Sequence, residues 1–210
     1  MRTVVIASAK GGTGKSSIAA HLAVEAEQCG NGPVAVVDTD TQGSLAAWWN
    51  AREAPTPQYA GIDIGQLETQ LSALESHGVS LVIIDTPPAL TSVIEATLHI
   101  ADLVLVPVRP SPHDLRAVGR LIEMLEAAQA PFCFVLNGAT PRSTIVSEAI
   151  RALAQHGKVA PSILHNRVDF ATSMIDGRTV GELNRKSRSA GEVTELWKYV
   201  STQLHKHAKG

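Results

Sequence analysis

Eight residues near the start of the chain, Ala9-Lys10-Gly11-Gly12-Thr13-Gly14-Lys15-Ser16, restrict its fold more than any other stretch. They join an apolar run at 3–7 to a segment at 15–28 that carries Ile18, Leu22 and Ala26 at helical spacing. A glycine-rich turn between strand and helix directs backbone N–H groups inward, and the helix N-terminus adds a favourable dipole, so the pattern suits a phosphate cradle. Gly11, Gly12, Thr13, Gly14, Lys15, Ser16 and Ser17 are the expected cradle. Lys15 would reach the terminal phosphates and the Ser16 hydroxyl would ligate magnesium. The usual motif opens on glycine where this chain has Ala9, and a second lysine, Lys10, stands early in the loop.

Runs rich in Val, Ile and Leu recur at 34–37, 81–84, 103–106 and 132–136, with a weaker one at 159–163. Helical spacing fills 66–76, 112–128, 144–155 and 190–205, and a shorter helix is expected at 44–53. Apolar runs without polar alternation suit strands covered on both faces. The alternation of the two patterns predicts an α/β fold, a mostly parallel twisted sheet with helices on both faces, in one domain spanning residues 1–210.

Composition excludes several classes. No apolar run approaches the ~18 residues that cross a bilayer, and the short apolar start runs straight into the glycine loop instead of forming a signal sequence. Cys29 and Cys133 form no CxxC pair, which points to reduced thiols in a cytoplasmic protein. The net charge of −2 gives no overall attraction to nucleic acid, so any such contact needs a local patch. The basic cluster is Arg185-Lys186-Ser187-Arg188, with Arg167 and Arg178 earlier and Lys198 later; an ordinary solvated face is the alternative. The tail from His205 to Gly210, which includes His207 and Lys209, is expected to fray.

Two further strands end in acids. The run at 34–37 leads into Asp38-Thr39-Asp40-Thr41-Gln42, and alternate residues of an extended chain share a side, so Asp38 and Asp40 can face one site. The run at 81–84 leads into Asp85-Thr86-Pro87-Pro88; an acid ending a buried strand beside a phosphate loop is placed to hold magnesium. Asn137 ends the run at 132–136. Trp48 and Trp49 are either core or a partner surface.

In order and content, Lys-Gly-Gly-Thr-Gly-Lys-Ser, Asp-x-Asp-x-Gln and Asp-Thr-Pro-Pro resemble the deviant Walker A ATPases of the ParA/MinD family, over nearly the whole chain. The resemblance implies a SIMIBI-type P-loop NTPase fold, ATP and Mg²⁺ as cofactors, and a nucleotide-sandwich homodimer. Lys10 would act on the partner's ATP like an arginine finger, Asp40 would position the attacking water, and Asp38 would support the metal and phosphates. Asn137 would meet adenine. Arg167, Arg185, Lys186 and Arg188 would grip nonspecific DNA, and a ParB-like or adaptor protein would stimulate hydrolysis at the nucleoid. The loop begins at residue 9, as in the short ParA branch without a preceding DNA-binding domain. Two other readings remain. One is a MinD-like membrane-associated regulator using the amphipathic stretch at 190–205. The other is a metabolic ATP-dependent enzyme on the same scaffold.

Overall fold

The computed structural model describes residues 1–88 and 92–206. The chain starts with β1 (Arg2–Ile6), α1 (Lys15–Gln28), β2 (Val34–Asp38) and α2 (Ser44–Asn50), then a two-residue β3 (Gln58–Tyr59) and α3 (Leu67–Ser76). It continues through β4 (Leu81–Asp85), α4 (Ser92–Leu98), β5 (Leu103–Val108), α5 (Pro112–Ala117), α6 (Gly119–Ala127) and β6 (Phe132–Ala139). The last third holds α7 (Thr144–Leu153), β7 (Lys158–Val159), β8 (Leu164–His165), α8 (Val168–Ser173), α9 (Val180–Leu183) and α10 (Arg188–Lys206).

The strands form one parallel sheet in the order β3-β2-β4-β1-β5-β6-β7, with β8 pairing further along β6. Period-2 alternation divides each central strand between two cores. Val4, Ile6, Val36, Ile83, Leu105 and Val135 face α1, α2 and α10. Val5, Ala7, Val37, Ile84, Val106 and Leu136 face α3, α4, α6 and α7. With both faces covered, a central strand has no polar side, which is why these runs read as unbroken apolar stretches.

Several expected boundaries shift. The helix expected at 112–128 is interrupted at Val118, next to Gly119, a poor helix former. The helix expected at 66–76 begins at Leu67, after a 3₁₀ turn at Ile64–Gln66 capped by the Asp63 side chain. The weak run at 159–163 is strand only at Val159, the end of β7; residues 160–163 connect it to β8, and both short strands pair with β6. The helix expected at 44–53 stops at Asn50, and α7 ends at Leu153. At the C-terminus α10 stays helical through His205 and Lys206; the rest of the expected frayed tail, His207 and Lys209 included, lies outside the described residues. Trp48 is core, 3% exposed, with its indole N–H donating to the Arg178 carbonyl, and half-buried Trp49 donates to the Pro57 carbonyl.

The order of strands builds the site. β4 lies between β2 and β1, in a register that sets Asp38 and Ile6 beside Asp85. The phosphate loop therefore leaves β1 where both acidic strands end. This is also where the chain's path reverses across the sheet, from β4 on one side of β1 to β5 on the other, the place where open α/β sheets hold ligands.

Candidate nucleotide-binding site

The loop at 9–16 curls around two glycines with positive φ, Gly12 at 73° and Gly14 at 91°. Gly14 is the left-handed residue that opens α1, and a Cβ there would stand 2.1 Å from the Asn137 amide nitrogen. The curl is braced from within: the Thr13 hydroxyl donates to Ser8 Oγ at 3.0 Å, and the Ser8 hydroxyl donates to the Lys10 carbonyl at 2.8 Å. From α1 the chain presents Lys15 buried and Ser16 and Ser17 half-buried; Lys10 is exposed on the outer side. Burial pushes the Lys15 ammonium below its ordinary range, and the charges of Asp85 and Asp40 oppose that shift.

Asp85 is fully buried at the end of β4, and among the described residues its two oxygens are the only buried side-chain polar atoms without a hydrogen-bond partner. Burial raises its pKa to about 7; nearby Ser16 and Lys15 pull the other way, while Asp38 and Asp40 push it further up. Ser16 lies close enough to act on Asp85 without forming a bond of sound geometry. A buried, unpaired carboxylate beside a serine at a phosphate loop fits the donor set of a magnesium ion, which takes one or two protein oxygens and leaves its remaining positions to water and phosphate.

Asp38 turns elsewhere. Its Oδ2 accepts from the backbone N–H groups of Leu45 and Ala46 in the first turn of α2, and its Oδ1 accepts from the Asp40 N–H. Three N–H donors hold this carboxylate, two on Oδ2 and one on Oδ1, so Asp38 braces the loop that carries Asp40. Alternation along the strand suggested that both acids face one site, and both do lie near enough to Asp85 to raise its pKa, with Asp38 anchored there by the start of α2. Asp40 is half-buried, and one of its carboxylate oxygens accepts from the Gln42 N–H. The second acidic segment is pinned too: Thr39 donates through N–H and hydroxyl to the Asp85 carbonyl, and the Thr86 hydroxyl donates to the Ile6 carbonyl.

Asn137 is a strut. Its Nδ2 donates to the Thr13 carbonyl at 2.7 Å, spanning 124 residues to hold the phosphate loop from the β6 side. One of its two amide hydrogens is committed, which leaves the other and Oδ1 for a base. Asn137 also lines a cavity of about 160 Å³ with Ser17, Ile18, His21, Arg109, Gly138, Asn166 and Phe170. Sequence reasoning gave Arg109 no role and missed Asn166 and Phe170. The stem of Arg109 runs within van der Waals reach of a Cβ placed at Gly138, and its guanidinium approaches one placed at Gly12. Its one sequence signal was its place just after β5; nothing local marked the 164–170 segment.

The basic residues divide. Arg185 forks onto buried Glu25 of α1 and reaches Gln28, and Arg167 forks onto Glu192 of α10 together with His165. Both guanidiniums are ion-paired within the chain, although the Arg185 side chain stays 46% exposed, and both line an open surface groove with Arg188. Lys186 and Arg188 form no ion pair among the described residues.

A family model for the CobQ/CobB/MinD/ParA nucleotide binding domain matches residues 4–180. The chain belongs to that ParA/MinD family. It is 31% identical over 201 residues to maintenance of carboxysome distribution protein A of Halothiobacillus neapolitanus, covering 90% of this chain and 91% of that protein. It is 30% identical over 181 residues to protein ParA of Rhizobium radiobacter, covering 85% and 80%. The fold matches apo McdA of Cyanothece with a TM-score of 0.78 at 20% identity, over 97% of this chain and 99% of that one. It also matches the septum site-determining protein MinD of Pyrococcus horikoshii, complexed with Mg-ADP, with a TM-score of 0.79 at 17% identity, over 100% and 99%. The ParA/MinD chain described here is thus a parallel-sheet P-loop NTPase in fold.

No helix among the described residues is long and apolar enough to cross a membrane. The apolar stripe of α10 (Val193, Leu196, Trp197, Val200 and Leu204) is buried against the sheet. The amphipathic stretch at 190–205 is therefore a packing helix in this structure.

Proposed function

We propose that this chain is an ATPase that dimerises around ATP and Mg²⁺ and uses slow, partner-stimulated hydrolysis to position DNA or a large protein cargo in the cytoplasm, at the nucleoid. The observation that carries the proposal is the contrast between the loop's two lysines: Lys15 is buried beside Asp85, while the Lys10 side chain is 43% exposed on the outer lip. One cation is placed to hold a phosphate chain from within. The other is left where a second protomer's triphosphate can meet it, which is the division of labour a trans-acting lysine needs. Two relatives are named for carboxysome distribution and for ParA, which supports a cargo-positioning role.

The chain's own groups divide the work. Loop N–H groups from Gly11 to Ser16 and the Lys15 ammonium hold the phosphates. Asp85 and the Ser16 hydroxyl hold the magnesium, which supplies charge neutralisation on the phosphates when bound. Asp40, kept in place by Asp38, orients the attacking water. Asn137 fixes the loop, and the cavity bounded by Ile18, Asn166 and Phe170 takes the base. Lys186 and Arg188 supply nonspecific phosphate contacts, doubled in a dimer.

Sedimentation velocity with Mg-ATP tests this reading. Wild-type protein is expected to form dimers. Lys10→Ala should bind nucleotide but stay monomeric, and Asp40→Ala should accumulate dimers that do not turn over. Normal ATP-dependent dimers of Lys10→Ala, or unchanged turnover in Asp40→Ala, would refute the assigned roles.

A further inference from the structure

Lys10 is exposed, but it is not free. Its Nζ lies 3.4 Å from Oδ1 of Asp114, a carboxylate whose side chain is only 15% exposed. β5 pairs with β1, so the chain leaving β5 runs past the phosphate loop and starts α5 beside it. Ser111 caps α5 and fixes Asp114 from the other side: its Oγ accepts from the Asp114 N–H at 3.2 Å and donates to Asp114 Oδ2 at 2.5 Å. One carboxylate oxygen is therefore held by the cap, and the other faces the lysine. The Lys10 backbone is pinned in turn by Ser8. Pro112 stiffens the first turn of α5, and Leu115 packs half-buried on the second core beside Val118, so Asp114 stands on an ordered platform.

We infer that Asp114 is a positioning residue that holds the Lys10 ammonium against its own protomer, so that dimerisation around ATP must break this pair in both subunits. The inference rests on the dimerising reading above. A trans-acting lysine with no local partner would sweep solvent and meet any phosphate. Held on Asp114, it is withheld until a second protomer offers a triphosphate, whose several negative charges compete better than one carboxylate. The pair is partly exposed, so its hold is modest: about 1.4- to 5-fold per protomer, and about two- to thirty-fold in a dimer constant that requires two releases.

Two measurements on Asp114→Asn test this. In nucleotide-free protein, acylation by a water-soluble amine reagent, read by mass spectrometry, should rise by about 1.4- to 5-fold at Lys10 while Lys198 keeps its rate. With a non-hydrolysable ATP analogue and magnesium, the dimer dissociation constant should fall by about two- to thirty-fold. Asparagine still serves the Ser111 cap, and an unchanged melting curve would show that α5 is intact. Unchanged Lys10 acylation overturns the inference, and so does a dimer constant that stays the same or rises. Should Lys10→Ala dimerise like wild type in the same assay, the trans-lysine reading itself fails, which is a different result from a failed Asp114→Asn.

Discussion

His21 provides the sharpest test of how the nucleotide helix is tied to the rest of the fold. It sits on α1 one turn beyond Ser17, is 2% exposed, and meets Phe170 of α8 edge-on with ring centroids 5.2 Å apart. Its Nδ1 lies 2.7 Å from the Ser17 carbonyl, which can only accept, so this nitrogen carries the proton of the neutral ring. Nε2 faces only the Ser173 hydroxyl at 3.4 Å, and that hydroxyl already donates to the Phe170 carbonyl. Burial lowers the pKa from 6.5 to about 4. A depressed histidine pKa means that the unfolded chain binds the extra proton first as pH falls. Stability is therefore full above pH 6.5 and is lost progressively down to about pH 4. At about 1.4 kcal/mol per unit, the loss from this one group is about 2 kcal/mol at pH 5 and about 3 kcal/mol at pH 4. His21→Met keeps an apolar side chain of similar reach without the titration. Urea unfolding of nucleotide-free protein at pH 4, 5, 6 and 8 should show the stability difference, wild type minus variant, falling by about 3 kcal/mol between pH 8 and pH 4. Other groups titrate in both proteins and cancel in that difference. A difference that stays constant across the series would refute the claim that His21 is buried neutral against α8.

Three further outcomes are expected. Asp85→Asn should keep the fold and lose the magnesium-dependent part of ATP affinity, measured by calorimetry with and without the metal; an unchanged metal effect would remove Asp85 from the site. Arg52 is almost fully buried, bonded to Glu182 and to the Thr56 and Gly177 carbonyls, and stacked over Trp48. Arg52→Ala should therefore lower urea stability by about 3–5 kcal/mol, as for a buried pair that loses one partner; a loss near zero would contradict the packing of α2. In a salt series of DNA binding, Lys186→Ala and Arg188→Ala should each lower the slope by about 1 without changing the melting temperature. Arg185→Ala should instead destabilise the fold, because it strands buried Glu25.

What the sequence determined was whatever depends on neighbours along the chain. Glycines between an apolar run and a helical pattern can only turn there, so the phosphate loop, the bounds of α1 and the placing of Lys15 and Ser16 followed from local order. Unbroken Val and Ile runs predicted strands buried on both faces, because a one-sided strand would have alternated. The tertiary structure decided which partner each polar side chain finds. Asn137 meets Thr13 across 124 residues, Arg185 meets Glu25 across 160, and Arg167 spends its charge on Glu192. No pattern of spacing encodes those pairings, since a long side chain reaches whichever opposite charge packing brings near. The α5 break at Val118 and the split of β7 from β8 were hidden for a related reason. Local propensity there is weak, and contacts with β6 and the second core decide the geometry. For Asp38 the strand-end position was visible, but its hydrogen bonds to N–H groups of α2 existed only once that helix had folded beside it.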